Sequence, residues 1–365
     1  MNDLEKAREA IGEIDKEMAA LFEKRMAAAA RIADYKRKNG LSVKDEEREK
    51  ALIEKNCSFL TSADLAPYYT RFLEEIISVS CDYQEKLLAG MRVAYSGTLG
   101  AFAYMAAKKM FPSAEPVAYS DFTEAYMAVE RGEADVAVLP LENSYAGEVG
   151  EVMNLIFSGS LYINQVIEMP IVHHLIAQKG ATKEGIKKVF SHPQALEQCA
   201  DYIEKNGFAI QPFSNTALAA EYIRDSKDLS EAAIASEETA SLFSLQILDS
   251  GIQDSKTNTT RFAAFTKEKN VLSTQKKKEN ENFILVFTVQ NKAGSLANAL
   301  NILGAHGYNM RNLRSRPMKN LEWSYFFYME CEGSIHTENG DDMLKELSAV
   351  CAHLKLAGAY RVPEL

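Results

Sequence analysis

Residues 2–38 have the sequence NDLEKAREAIGEIDKEMAALFEKRMAAAARIADYKRK, and this stretch decides the fold of residues 1–90. Apolar side chains recur in it at alternating three- and four-residue steps, the spacing of one apolar face on a long helix. The members of this seam are Leu4, Ala7, Ile11, Ile14, Met18, Leu21, Ala28, Ile32 and Tyr35. Asn39 and Gly40 are typical of a helix end. Such a helix would be roughly 54 Å long. Residues 1–90 cannot bury both of its ends, so we predict a homodimer or higher homo-oligomer with interlocking helices.

Arg25 lies in register with this apolar seam, where an unpaired cation would be costly. Burying an unpaired charge costs several kcal/mol, so the Arg25 guanidinium must reach solvent or meet an anion. A carboxylate-bearing ligand is one such anion. A snorkelling arginine at the end of a helical bundle is the alternative interpretation.

The composition excludes several classes of partner. The 365-residue chain has a formal net charge of −10, which argues against nucleic acid and an anionic membrane. It has no basic-then-apolar signal pattern and no run of about 18 apolar residues, so we expect a cytoplasmic protein. Five scattered cysteines, and no His or Cys spacing typical of metal ligands, favour reduced thiols and no metal site.

The pattern divides the chain into four parts. Two further helices, Asp45 to Asn56 and Thr61 to Leu88, complete an all-α segment at residues 1–90. Over residues 91–268, short apolar strands alternate with helices, which predicts an α/β domain with a mostly parallel sheet. Residues 269–282 are charged and polar and predict a linker. Residues 283–365 have a βαββα order that predicts a ferredoxin-like α+β domain.

The N-terminal segment resembles the helical chorismate mutase family. The residues that match the active-site motif of that family are Arg8, Arg25, Lys36, Asp45, Arg48, Glu49, Ser80 and Gln84. Arg25 and Lys36 lie about three turns apart on one helix face, whereas Arg8 lies on another face, which fits a role in the site of a partner chain. Taken alone, residues 45–49 also fit a solvated helix start with ion pairs one turn apart.

This resemblance implies an intertwined helical dimer that rearranges chorismate to prephenate without a cofactor. Chorismate is a dicarboxylate that rearranges within itself, so the protein has to hold a compact conformer and stabilise the breaking ether bond. By resemblance, the residues that bind the substrate carboxylates are Arg8, Arg25 and Arg48. Glu49 would hold the substrate hydroxyl, and Lys36 and Gln84 would donate to the ether oxygen as the catalytic pair.

Residues 91–268 resemble prephenate dehydratase. The motifs that carry the resemblance are Tyr95-Ser96-Gly97, Leu139-Pro140-Leu141-Glu142-Asn143-Ser144, Ser191-His192-Pro193-Gln194 and Asn258-Thr259-Thr260-Arg261-Phe262. The family implies a two-lobed α/β fold, similar to periplasmic binding proteins, that converts prephenate to phenylpyruvate. Thr260 would be the donor at the leaving hydroxyl and Arg261 would organise the anion site. The residues implied to line the cleft are Glu142, Asn143, Ser191 and Gln198. A threonine that is simply favoured in a strand is the alternative for Thr260.

Residues 283–365 resemble the regulatory ACT domain of these enzymes, with phenylalanine as the implied inhibitor. Gly294-Ser295-Leu296-Ala297 match the phenylalanine-site turn, and Arg314-Ser315-Arg316-Pro317 match the second signature. The implied effector residues are Gly294, Ser295, Leu296, Ala297, Ser315 and Arg316. The family usually carries glutamate in place of Arg314, so this charge reversal is predicted to alter effector affinity, coupling or oligomer geometry. An ordinary tight turn is the alternative for Gly294.

Two rival functions fit parts of the sequence. A mutase fused to prephenate dehydrogenase would need a G-x-G-x-x-G turn after a strand, and Gly97 with Gly100 do not form one. The second rival is a chorismate mutase fused to a non-catalytic module that binds a carboxylate or senses an amino acid. Turnover of prephenate distinguishes this sensor from the enzyme.

Overall fold

The computed structural model describes residues 2–255, 257–270, 281–318 and 325–361. The chain folds as two compact units, Met1–Met91 with Ser113–Glu115, and Arg92–Pro112 with Pro116–Leu365. Most of the predicted linker, residues 271–280, lies outside the described residues. Among the helices that are described, none combines the length and the apolar character needed to cross a membrane.

The first unit contains α1 (Asp3–Asn39), α2 (Glu46–Cys57) and α3 (Ala66–Leu88). Asn2 and Glu5 form a capping box at the start of α1, and Gly40 ends it in the left-handed conformation at φ 56°. The three predicted helices are confirmed. The third begins later than predicted because a 3₁₀ turn, Ala63–Leu65, precedes it.

The two halves of α1 differ in what covers them. Buried Ala29 and Ala33 lie in the second half, where α1 packs against Leu73 and Ile77 of α3. All side chains of residues 3–24 are exposed in the single chain. The first half of the apolar seam is therefore not covered by any of the residues that the structure describes.

Residues 92–266 form the α/β segment, in which the last strand returns to the sheet of the first. In chain order they are β1 (Arg92–Ser96), α4 (Phe102–Met110), β2 (Glu115–Tyr119), α5 (Phe122–Arg131), β3 (Val136–Asn143), β4 (Gly147–Glu148), α6 (Gly150–Ser158), β5 (Tyr162–Pro170), β6 (His174–Ala177), β7 (Lys188–Ser191), α7 (Pro193–Glu197), α8 (Ala200–Asn206), β8 (Ala209–Pro212), α9 (Thr216–Asp225), β9 (Glu231–Ala235), α10 (Glu237–Leu242), β10 (Gln246–Asp249) and β11 (Thr259–Thr266). They build two lobes, each with its own sheet.

The predicted mostly parallel sheet is wrong, because both sheets are mixed. β1 pairs parallel with β3, but β11 runs antiparallel to both β3 and β5. In the second sheet, ordered β10-β6-β9-β7-β8, β7 pairs parallel with β8 and β9 while β6 is antiparallel to β9 and β10. The cause is topological. The chain leaves the first lobe through β5 and returns through β11, so that β11 enters between β3 and β5 in the reverse direction.

The C-terminal segment has the order β12 (Glu281–Val289), α11 (Ser295–Ala305), β13 (Asn309–Pro317), β14 (Tyr325–Glu332), α12 (Glu338–Val350) and β15 (Cys351–Arg361). Strand β15 corrects the prediction, which extended the last helix to Leu354. Leu354 continues the helical spacing of Leu344 and Leu347, but residues 351–361 pair antiparallel with β12 along its whole length. A tertiary ladder overrides the local pattern here.

The C-terminal sheet is joined to the first lobe of the α/β segment. β15 pairs parallel with β5 at Gly358 and Ile163. A Cβ at Gly358 would lie 2.1 Å from the Ile163 carbonyl oxygen, so this approach requires glycine. One apolar core includes Phe265 of β11 together with Val286 of β12 and Tyr328 of β14. The first lobe and the C-terminal sheet are therefore packed together.

Candidate active sites

The helical site lies where the second half of α1 faces α3. Arg25 donates from Nη1 to the carbonyl oxygen of Ile76 at 3.0 Å, and Ser80 donates from Oγ to the same oxygen at 2.7 Å. Gln84, one turn further along α3, donates from Nε2 to the Ser80 carbonyl at 3.1 Å. Three predicted residues are thus brought together along two turns of α3.

Lys36 lies among the charged residues of this unit. Burial lowers the pKa of its ammonium. The charged groups close enough to alter that pKa further are Arg48, which lowers it, and Cys81, Asp45 and Glu49, which raise it. The ammonium donates to the Val43 carbonyl and keeps two further hydrogens for other acceptors. Cys81, whose sulfur lies 3.7 Å from Glu49 Oε1, was not predicted and belongs to this cluster.

Several groups of the helical site lack a partner in the single chain. Gln84 Oε1 is buried and has no hydrogen-bond partner among the described residues. Burial lowers the pKa of the Arg25 guanidinium, and in the described part of the chain no carboxylate pairs with it. Arg8 is exposed in the first half of α1 and is not brought to the cluster. The site accordingly has unused donors and acceptors and lacks one predicted residue.

The second site is organised by Asn143 at the end of β3. Asn143 Oδ1 accepts from the backbone N–H groups of Tyr145 and Ala146, at 3.0 and 2.9 Å, which fixes the orientation of its amide. Its Nδ2 therefore points to Thr260 Oγ1, at 2.9 Å, and to Asn258 Oδ1, at 2.7 Å. Because Thr260 Oγ1 accepts this hydrogen bond, the hydroxyl hydrogen of Thr260 stays available for another acceptor.

The network continues to two residues that were missed as site residues, Asn258 and His173. Asn258 donates from Nδ2 to Gln198 Oε1 at 3.0 Å, and the same oxygen lies 2.9 Å from His173 Nε2. An oxygen that accepts from both requires His173 to carry its hydrogen on Nε2. Burial lowers the pKa of His173, which keeps the ring neutral, and its buried Nδ1 has no partner among the described residues. Only tertiary contacts reveal this chain of hydrogen bonds.

Arg261 lies on the opposite face of the sheet from Thr260, because neighbouring residues of a strand point to opposite faces. Its Nη1 is 2.8 Å from Glu142 Oε1 and 2.8 Å from Glu330 Oε2, and its Nη2 is 3.0 Å from Glu330 Oε1. Nη2 also donates to the Tyr360 hydroxyl at 2.6 Å. Burial alone would lower the pKa of Arg261, but Glu330, Tyr360 and Glu142 raise it above its usual value. The guanidinium is a fully charged partner of buried carboxylates.

Two arginines of the second C-terminal signature reach the same cluster. Arg314 Nη2 lies 2.8 Å from Glu142 Oε2, and Arg314 Nε lies 3.5 Å from Glu148 Oε2. Arg316 Nη1 forms an ion pair with Glu148. The other predicted effector residues lie elsewhere: Ser315 faces Phe327 in the β13–β14 ladder, and residues 294–297 form the first turn of α11, entered at Gly294 with φ 84°.

Ser191, at the end of β7, is fully buried. Its hydroxyl donates to the carbonyl oxygen of Ile234 at 2.6 Å. The contacts of Ser191 thus fix β7 against β9 and lie apart from the hydrogen-bond chain of Thr260.

Comparisons with known proteins match the two segments of the chain that contain these residues. The family described as chorismate mutase type II matches residues 7–85, and the family described as prephenate dehydratase matches residues 93–270. A curated relative from Aquifex aeolicus, bifunctional chorismate mutase/prephenate dehydratase, is 32% identical over 99% of this chain and 98% of its own length.

Two solved structures each resemble about three quarters of the chain. One, titled as GqqA, a novel type of quorum quenching acylase, is 28% identical with a TM-score of 0.68, over 74% of this chain and 98% of its own. The other, a prephenate dehydratase from Arthrobacter aurescens in complex with L-Phe, is 24% identical with a TM-score of 0.67, over 75% of this chain and 92% of its own. The second likeness shows a shared fold.

Proposed function

The chain belongs to the family of bifunctional chorismate mutase/prephenate dehydratases, and from this we propose that its helical site forms prephenate and that Thr260 and Asn143 carry the dehydration. It is an enzyme of phenylalanine biosynthesis with a chorismate mutase and a prephenate dehydratase domain. The observation that carries the residue assignment is the hydrogen bond from Asn143 to Thr260. A cytoplasmic location stays a prediction.

In the mutase reaction, an ether C–O bond breaks while a C–C bond forms within the same molecule. Negative charge builds on the ether oxygen, and preorganised donors stabilise it. Lys36 has two hydrogens beyond the one used by Val43, so it supplies such a donor. Arg25, which has no carboxylate partner among the described residues, binds a substrate carboxylate. Gln84 lies beside Ser80 to complete the set of polar contacts.

We propose a second copy of the chain as the cover of the first half of α1. The apolar side chains left exposed there are Leu4 (58%), Ile11 (57%), Ile14 (56%), Met18 (43%) and Leu21 (62%). A row of this length in water marks an interaction surface, and its heptad-like spacing fits another helix. Arg8 lies in the same half of α1, so dimerisation would bring it to the site of the partner subunit.

Mixed dimers test the origin of Arg8. Arg8→Ala and Lys36→Ala each inactivate the mutase when present alone. Mixed chains contain one site with both residues intact if Arg8 crosses over, and random pairing then restores about a quarter of wild-type activity. If Arg8 acted within its own chain, every site in the mixture would lack one residue and no activity would return.

In the dehydratase reaction, the bond to the ring carboxylate breaks, CO₂ leaves, and its electron pair completes the aromatic ring. The ring hydroxyl departs with the bonding electrons and takes a proton to become water. A donor at this oxygen lowers the barrier. Thr260 is 8% exposed and its hydroxyl oxygen is held by Asn143, so the hydroxyl hydrogen is the donor that the site offers.

The purified protein incubated with chorismate, without nucleotide or added metal, tests both activities. Chorismate loss and phenylpyruvate formation are followed separately. Phenylpyruvate is the expected product. Prephenate that accumulates and goes no further would refute the dehydratase assignment and favour the sensor alternative.

We further propose phenylalanine as an inhibitor bound near the Gly294 turn. Gly294 adopts φ 84° and begins α11, and backbone N–H groups at such a helix start suit an amino-acid carboxylate. The similar structure from Arthrobacter aurescens is described in complex with L-Phe. Calorimetry with phenylalanine tests this, and no heat of binding at millimolar concentration would refute it.

A further inference from the structure

Glu330 of β14 is a carboxylate that is almost completely enclosed, and the proposed chemistry does not use it. Glu330 is only 1% exposed, and hydrogen-bond donors surround its carboxylate. It accepts from both terminal nitrogens of Arg261, from the Tyr360 hydroxyl at 2.6 Å and from Asn282 Nδ2 at 3.1 Å. A buried charge with this many partners fixes the geometry of whatever it binds.

Glu330 binds Arg261 of β11, the strand that also carries Thr260. In the β11–β3 ladder, Thr260 is opposite Asn143 and Arg261 is opposite Glu142. These two cross-strand pairs are adjacent and face opposite sides of the sheet. The first pair forms the hydrogen bond of the dehydratase site. The second pair is an ion pair, with 2.8 Å between Arg261 Nη1 and Glu142 Oε1, and Glu330 binds the same guanidinium.

The β11–β3 ladder is irregular just beyond these pairs, whereas the β11–β5 ladder keeps its register there. Between Arg261 and Phe262 the register shifts by one residue, because Leu141 of β3 is left without an opposite residue. A bulge interrupts the ladder and bends the strand locally. The clamp of Glu330 and Tyr360 on Arg261 acts beside this interruption of the β11–β3 ladder.

We propose that Glu330 is a positioning residue of the dehydratase, contributed by the C-terminal segment, which holds Arg261 and thereby sets the position of Thr260 relative to Asn143. The inference rests on the proposed role of Thr260. It makes the C-terminal segment part of the dehydratase machinery, independently of any effector.

The test replaces Glu330 by glutamine in the full chain and measures both activities. Glu330→Gln keeps the size and removes the charge that Arg261 needs. Displacement of a catalytic group by a fraction of an ångström to 1 Å costs up to about 100-fold, so dehydratase kcat should fall about 10-fold to 100-fold. KM for prephenate should stay within about twofold, because the Thr260 donor acts mainly in the transition state. The mutase rate of the same protein is the internal control.

Glu332→Gln is the matched control, since Glu332 lies two residues along the same strand and is exposed. It should leave dehydratase kcat unchanged. Tyr360→Phe is the milder second variant, because it removes only the hydroxyl that joins Arg261 to Glu330. It should lower kcat in the same direction by less, and it decides the matter if Glu330→Gln does not fold.

Three results would overturn the proposal. The positioning role is refuted if a folded Glu330→Gln protein keeps the wild-type dehydratase kcat. If that variant does not fold, an unchanged kcat in Tyr360→Phe refutes it. A loss of signal proportional to the loss of folded protein in thermal unfolding indicates stability alone. An equal loss in Glu332→Gln indicates a general effect of charge. If the wild-type protein itself forms no phenylpyruvate, the proposed function fails instead, which is a separate outcome.

Discussion

Replacing Thr260 by valine should separate the two activities of this chain. Valine keeps the branched shape, suits a strand and removes only the hydroxyl. Asn143 Nδ2 loses one acceptor at 2.9 Å but keeps Asn258 Oδ1 at 2.7 Å and the Thr259 carbonyl at 3.3 Å. The free energy of unfolding should therefore fall by only about 0.5–1.5 kcal/mol, the net value of one hydrogen bond.

The catalytic effect should be much larger than the effect on stability. Removing one preorganised donor from a developing charge typically costs about 10²–10³ in kcat, or about 2.7–4 kcal/mol. Dehydratase kcat on added prephenate should fall by that factor, while the mutase rate on chorismate stays at the wild-type value. Prephenate should then accumulate from chorismate.

Thr259→Val is the matched control for this substitution. Thr259 is the preceding residue of the same strand, and its side chain points to the other face. The same loss of a hydroxyl should there leave dehydratase kcat within about twofold. A Thr260→Val protein that makes phenylpyruvate within a few-fold of the wild-type rate would refute the assignment of Thr260 as donor.

Three further changes test other parts of the structure. Lys36→Met should lower mutase kcat by about 10²–10³ and leave the dehydratase rate on added prephenate unchanged, and an unchanged mutase rate would remove Lys36 from the site. Burial lowers the pKa of Lys36, and only its protonated form donates with a positive charge, so kcat/KM for chorismate in the wild-type protein should decline with rising pH below the ordinary lysine range. A flat profile up to that range would contradict this. Arg314→Glu places a carboxylate against Glu142 and Glu148 and should lower the free energy of unfolding by roughly 1–3 kcal/mol, measured against Arg311→Glu, whose exposed ion pair should matter by less than about 1 kcal/mol.

Local signals in the sequence account for the helical unit. Asn2 with Glu5, Asp45 and Gly40 are capping residues at the positions where α1 begins, α2 begins and α1 ends. Such caps act through backbone groups within a few residues, so their effect can be predicted from the sequence. The apolar seam of α1 can be predicted for the same reason, since its spacing depends only on helix geometry.

Structural features that depend on residues distant in the chain cannot be predicted from local sequence. The helical spacing predicts a helix up to Leu354, whereas residues 351–361 form β15, because their partner strand β12 is far away in the chain. Nothing in the sequence around His173 indicates a site residue. Its contact with Gln198, and the contact of Gln198 with Asn258, join residues 25 and 60 positions apart and exist only in the folded chain. Nothing near Glu330 in the sequence indicates Arg261 as its partner.

Side chains alternate between the two faces of a strand, which explains why Thr260 and Arg261 are adjacent in the sequence and yet have different roles. Two consecutive residues of β11 project to opposite faces, so one dipeptide reaches the dehydratase site with its hydroxyl and the C-terminal sheet with its guanidinium. The prediction placed both side chains in the prephenate site, Thr260 at the leaving hydroxyl and Arg261 at the anion site. The ladder separates them, because Arg261 is engaged by Glu142 and Glu330 on the face away from Asn143. A movement of the C-terminal sheet that pulls on Arg261 must therefore move Thr260 as well, since the two residues share one peptide bond.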